Sequence, residues 1–298
     1  MSATAKEESA HGGHGSGAVY KNTNGVPVAN GKTTHLDVGR GDVANRVLTV
    51  GAVQRAELIA GYLDARTKTV SSSRGFTIIT GIYKGVAVSI VAIGMGPPMM
   101  DFFVRETRYV TDGPMAIARF GTCGGISEDA VPGTIVVANG SGFINRNPNA
   151  FSKTRREGVE PYILYDEVPA DSSLTSNIVE KLTQVLGAQA VVAGTNVTAD
   201  SFYSSQGRVD SDNFDDQNTT LIDKAVITYP NAKSMEMETF QLIHLANCSK
   251  VPIYSSAAAI VISNRRDSTK IVSGEVLSHL EAEGGRAMLD ALIAFTFP

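Results

Sequence analysis

Residues 115–125 read Met115-Ala-Ile-Ala-Arg-Phe-Gly-Thr-Cys-Gly-Gly125. A short apolar run that stops at glycine is the pattern of a buried strand in an α/β sheet. The glycine-bearing stretch after it presents backbone N–H groups at the strand's carboxyl end, where open α/β sheets hold ligands. One residue breaks the apolar run. A guanidinium inside a buried strand is costly without a counter-charge, so Arg119 calls for an anion.

The same grammar extends to both sides. Arg46-Val-Leu-Thr-Val50 runs into Gly51, and residues 54–63 follow with helical spacing. Residues 76–82 and 86–93 predict a β-hairpin around Tyr83-Lys84-Gly85. A turn at Gly94-Met-Gly-Pro-Pro98 leads into a helix ending near Val110. Beyond Gly125, residues 134–138, 190–198 and 253–262 read as strands, and residues 173–187, 238–247 and 271–295 as helices. Residues 139–166, polar and arginine-rich, are expected to form an irregular surface excursion. Strands alternating with helices predict an α/β fold: a single domain with a central mixed, twisted sheet flanked by helices.

Composition agrees with this frame. The chain has 298 residues, 43% hydrophobic and 19% charged, enough to bury a large core. Residues 1–30 carry almost no large apolar side chains and are expected to be a mobile tail ahead of a folded domain over 31–298. A net charge of −4 argues against a nucleic-acid or anionic-membrane surface. The two cysteines, Cys123 and Cys248, form no CxxC pair, which fits a reducing compartment and no zinc site. No apolar run approaches the ~20 residues of a membrane span. The expectation is a soluble, cytoplasmic protein without a metal.

Two further stretches carry chemistry. In Asp200-Ser-Phe-Tyr-Ser-Ser-Gln-Gly-Arg208, the amide of Gln206 and the guanidinium of Arg208 stand two residues apart beside aromatic rings. That combination can read the edge of a flat, oxygen-rich heterocycle. Met235-Glu-Met-Glu-Thr239 offers carboxylates beside a thioether, suited to vicinal hydroxyls and the apolar face of a sugar. Arg55, four residues after Gly51, together with Arg74 and Arg119, could converge on an oxyanion. Taken singly, each has a plain reading. Phe202 and Tyr203 also suit a core, Met237 a helix start, Glu236 and Glu238 a solvated or capping role, and His35 the surface.

The ordered set of motifs resembles nucleoside phosphorylases of the uridine phosphorylase group, from about His35 to the C-terminus. It comprises Gly51-x-x-x-Arg55, Arg74 before the hairpin, Gly94-Met-Gly-x-Pro98, Arg119-Phe-Gly-Thr-x-Gly-Gly125, Phe202-Tyr-x-x-Gln-x-Arg208, Glu236-Met-Glu238 and Asn264-Arg265. The resemblance implies a nucleoside phosphorylase-type sheet, partly barrel-like, and a homodimer with shared active sites. It implies that Gly51, Arg55, Arg119 and Thr122 hold phosphate, with Arg74 reaching into the neighbouring subunit's site. Ribose would lie against Met237, with Glu238 accepting from its 2′- and 3′-hydroxyls and Glu236 and Thr122 nearby. His35 would meet the 5′-hydroxyl across the dimer interface. Gln206 and Arg208 would bind uracil, with Phe202 packed on it, Cys123, Gly124 and Ile262 beside it, and Arg265 bracing Arg208. Arg119, Arg208, Gln206 and Glu238 would carry the catalysis.

No cofactor is implied, because inorganic phosphate is itself the co-substrate. Uridine, uracil and ribose 1-phosphate would be the remaining small-molecule partners. The chain departs from the family pattern at Ala52 and Gly75, where acidic residues are usual, and at Cys123, where a second threonine is common. The loss at Gly75 predicts no monovalent cation between subunits. Asp267, in Ser263-Asn-Arg-Arg-Asp267, keeps open a purine reading, in which an acid protonates N7. A hydrolase of the same fold and a non-catalytic nucleoside-binding protein also stay open.

Overall fold

A computed structural model describes residues 24–151, 158–267 and 269–298. Its first elements are the paired strands β1 (Val28–Ala29), within the stretch 1–30 expected as a tail, and β2 (Lys32–Thr33), just after it; residues 1–23 of that stretch lie outside the described residues. Then come β3 (Arg46–Val50), α1 (Val53–Ala60), β4 (Ala65–Ser71), β5 (Thr77–Tyr83), β6 (Val86–Ala92) and α2 (Pro97–Val110). The middle of the chain supplies β7 (Met115–Gly125), β8 (Ile135–Arg146), β9 (Tyr162–Pro169), α3 (Ser172–Leu186) and β10 (Val191–Ala199). The last part supplies α4 (Leu221–Thr228), β11 (Ala232–Glu236), α5 (Thr239–Cys248), β12 (Ile253–Asn264) and α6 (Gly274–Ala294).

The alternation along β7 shows why the sheet sits where it does. Ala116, Ala118 and Phe120 face one apolar core, which they share with Ile59 of α1 and Met288 and Leu292 of α6. Met115 and Ile117 face the opposite core with Phe103 of α2 and Leu242 of α5. Side chains alternate across a strand, so Arg119 falls on the second face. Burying both faces requires helices above and below.

Strands β3 to β12 form one mixed sheet of 10 strands. Strand β7 lies parallel to β3 on one side and to β12 on the other. The order continues from β12 through β8 and β10 to β11, and β11 pairs back onto β7 at Gly124 and Gly125. That return closes part of the sheet into a barrel and carries Met235–Glu238 to the carboxyl end of β7.

Two expectations are corrected. The excursion over 139–166 is sheet at both ends, where residues 139–146 continue β8, which pairs with β10 and with β9, and residues 162–166 begin β9; residues 152–157 lie outside the described residues. The run Gly140-Ser-Gly142 and the arginines mask the apolar pattern, but sheet pairing on both sides satisfies the backbone. The supposed turn over Gly121–Gly125 is also strand, hydrogen-bonded to β12 throughout. Among the described residues no helix is long and apolar enough to cross a membrane. None of their His, Cys, Asp and Glu side chains gather in threes to hold a metal.

Candidate active site

A cavity of about 460 Å³ opens at the carboxyl ends of β3, β7 and β12 and beside the β11–α5 junction. Gly51, Arg55, Arg119 and Thr122 line one end, Glu236, Met237 and Glu238 one wall, and Phe202, Gln206, Arg208 and Ile262 the other end. Cys123 and Gly124 complete the β7 side. Residues spread over more than two hundred positions are brought together here because parallel strands deliver their ends to one edge. Arg74, His35 and Arg265 do not line it.

Arg119 is buried and lies between two carboxylates. Its Nε donates to Glu236 Oε2 at 3.0 Å and its Nη2 to Glu238 Oε2, while Nη1 is buried without a partner among the described residues. The guanidinium folds back over its own strand: a Cβ at Gly121 would stand 3.1 Å from Nη2. Any side chain there would press on the charged group. The unsatisfied donor makes this end of the cavity receptive to an oxyanion.

The two acids differ. Glu236 is saturated by protein donors: Asn196 Nδ2 and Thr198 Oγ1 reach Oε1 at 2.7 Å, and the N–H groups of Glu238 and Thr239 add to these. Burial opposes its charge, but Arg119, the Thr198 hydroxyl and the Thr239 and Glu238 N–H groups hold its carboxyl below its ordinary value. Glu238 accepts from the Gly96 N–H at 2.5 Å and from Arg119. Burial pushes its carboxyl up to about 7, Arg119 opposing and the Glu236 charge adding to the rise. Glu236 therefore anchors Arg119 and the start of α5, whereas Glu238 has fewer protein donors and more capacity for a ligand hydroxyl.

Arg55, in the first turns of α1, also meets a carboxylate. Its Nε and Nη2 both donate to Glu281 Oε1 on α6, at 3.0 and 2.6 Å. Cys123 is buried, its thiol donating to the carbonyls of Ala259 and Ile260 at 3.6 Å. Burial pushes this thiol up, so it stays protonated and unreactive. Arg74 sits exposed in the β4–β5 turn. His35 packs on the Phe102 ring, with its Nδ1 2.5 Å from Glu106 Oε1. Both lie on the outside of this chain.

At the other end a short turn over Ser204–Gln206 leads to Gly207 and Arg208. Arg208 Nη1 donates to Gln206 Oε1 at 2.8 Å, which orients the amide so that its NH₂ is the donor left over. The guanidinium carbon of Arg208 also lies 3.7 Å from the Phe202 ring centroid, so this arginine covers one face of that ring. Burial and the neighbouring Arg265 charge push Arg208 down to about 10. Arg265 braces the loop through the Gln206 carbonyl, at 3.0 Å, and not through the Arg208 side chain.

Sequence reading missed several supports. Asp200 accepts from Ser205 Oγ and Asn145 Nδ2, and Asn218 Nδ2 donates to the carbonyls of Ser204 and Arg208. Asp200 heads the 200–208 stretch, but nothing local reveals that its carboxylate ties the turn to β8. Glu281 is 226 positions from Arg55 and gives no local signal.

Residues 45–292 match the phosphorylase superfamily. A solved structure from work on two uridine phosphorylases of the oomycete Phytophthora capsici is 41% identical and superposes with a TM-score of 0.89, covering 94% of this chain and 100% of that one. A purine nucleoside phosphorylase (DeoD-type) of Caldanaerobacter subterraneus is 33% identical over 57% of this chain and 68% of its own length. One of Latilactobacillus sakei is 28% identical over 84% of this chain and 93% of its own. The chain belongs to the phosphorylase superfamily, among its nucleoside phosphorylases. Its substrates are accordingly a nucleoside and phosphate, and its reaction class is pentosyl transfer.

Proposed function

We propose that the protein is a uridine phosphorylase, converting uridine, and by the same chemistry deoxyuridine, reversibly to uracil and α-D-ribose 1-phosphate in pyrimidine salvage. The observation that carries this reading is the base end of the cavity. Gln206 and Arg208 there offer donors to heterocycle oxygens, with Arg265 behind them and no carboxylate pairing either arginine among the described residues. Such a site suits a base whose oxygens gain negative charge.

In this reading phosphate binds at Gly51, Arg55, Arg119 and Thr122, opposite the base. Positive charge builds at C1′ as the glycosidic bond stretches, and the phosphate dianion stabilises it before attacking C1′ with inversion. The electron pair of the broken bond leaves on uracil, where Arg208 and Gln206 meet it. Glu238 accepts from the ribose 2′- and 3′-hydroxyls, and Met237 lies under the sugar. No covalent intermediate with the protein is required. The unit is a homodimer, whose partner brings its own Arg74 and His35 to the site.

The curated relatives are named as purine enzymes, so a purine reading has to be weighed. It needs an acid beside the base. Asp267 does not line the cavity, and its carboxylate accepts from Thr269 Oγ1 and the Thr269 N–H on an exposed loop. The solved structure that is 41% identical to this chain comes from work on uridine phosphorylases. Both observations favour the pyrimidine. Uracil release from uridine, measured with and without inorganic phosphate, tests the reaction type: release should depend on phosphate, and equal rates would establish hydrolysis instead.

A further inference from the structure

We propose that Glu281 of α6 is a positioning residue for phosphate, holding Arg55 in the pose that receives the anion; this rests on the phosphorolysis reading. The side chain of Ala52, which lines the cavity beside Arg55, has no acceptor to offer. The carboxylate arrives instead from the last helix. One oxygen, Glu281 Oε1, takes both Nε and Nη2 of Arg55, which leaves the Nη1 corner of the guanidinium for a ligand. The two side chains are 10% and 23% exposed, so the pair is shielded from the solvent that makes surface ion pairs weak.

The pairing is built into the helix packing. Ile59 lies one turn after Arg55 on α1, and Gly285 lies one turn after Glu281 on α6. A Cβ at Gly285 would stand 2.5 Å from Ile59 Cγ1, and one at Gly284 would stand 2.7 Å from Phe120 Cζ. Glycine at both places lets α6 settle against α1 and β7. That close approach forms one rung, and Arg55 with Glu281 forms the next. Residues three and four apart share a helix face, so the glycine contact sets the distance over which Glu281 reaches.

The charges also matter. In this chain Arg55 and Arg119 face Glu236, Glu238 and Glu281, so an arriving phosphate must share each guanidinium with a carboxylate already there. Glu281 therefore does two things: it aims Arg55, and it tempers the attraction of Arg55 for anions.

These two effects separate in variants. With Glu281→Ala the aim is lost, and the KM for phosphate should rise about tenfold, the scale of one charge-assisted hydrogen bond. The KM for the nucleoside should stay within about twofold, since Arg55 does not face the base end. Glu281→Gln keeps an accepting oxygen and removes the charge, so its phosphate KM should stay at or below that of the wild type. A structural role alone would not give opposite behaviour in Ala and Gln. If Glu281→Ala does not fold, Glu281→Asp, which withdraws the oxygen by one methylene, should raise the phosphate KM selectively. An unchanged phosphate KM in Glu281→Ala or Glu281→Asp, or an equal rise in both KM values, overturns the role of Glu281. Wild-type turnover that ignores phosphate would instead remove the phosphorolysis reading, and this inference with it.

Discussion

At the Gly51 end of the cavity, Arg119 and Arg55 each rest on carboxylates; at the opposite end, Arg208 and Arg265 meet a ring, an amide and backbone carbonyls, and no carboxylate among the described residues. Guanidiniums on both sides are withdrawn from water, but they are compensated differently. Burial opposes the charge of Arg119, but Glu238 and Glu236 outweigh it, keeping the guanidinium charged and locked to rigid strand ends. Burial with Arg265 as a neighbour pushes Arg208 down to about 10. The first arrangement suits a permanent anion, which needs a fixed cradle before and after the reaction. On the proposed uridine phosphorylase reading, the second holds uncompensated positive charge where an anion would form only as the base departs, and interactions stronger in the transition state than in the ground state accelerate reactions.

Removing the guanidinium at the paired end should have the larger effect. Arg119→Met leaves Glu236 and Glu238 buried without their cation, which should cost about 3–5 kcal/mol in urea unfolding. Phosphate-dependent turnover should fall by a factor of at least about 10². A variant with full stability would mean that the carboxylates do not depend on Arg119, and the contrast between the two ends would collapse.

A smaller effect belongs to Glu238. Its carboxyl sits at about 7 in the folded protein against an ordinary 4.5, so the folded state binds the extra proton between those values. Its contribution to stability is therefore complete below about pH 4.5 and is lost as pH rises through about 7. The unliganded wild type should lose melting temperature from about pH 5 to about pH 8, by a few degrees, and Glu238→Gln should lose less. Parallel curves would assign the titration to another group.

Much of this contrast was legible in the sequence. Arg119 stood out because it interrupts an apolar run, and the pair Gln206 and Arg208 because aromatic residues and glycine frame it. What escaped reading depends on tertiary register. The glycines of Gly121–Gly125 suggested a turn, yet they serve a strand that a guanidinium crosses closely. Strand β11 was not predicted, because Ala232–Glu236 is short and half polar, yet its return to β7 places Glu236 on Arg119. Glu281 is an ordinary helix acid until α6 is docked on α1. Local pattern identifies the charges, and packing decides which of them are already paired.

The pyrimidine assignment rests on the unpaired end, and one comparison tests it most directly: kcat/KM for uridine and for inosine in the wild type and in Arg208→Ala. The wild type should prefer uridine, and the variant should lose about 10²-fold on uridine, the scale of one lost donor to developing charge, but only a few-fold on inosine. A wild type that prefers inosine, or equal losses on both nucleosides, would contradict it.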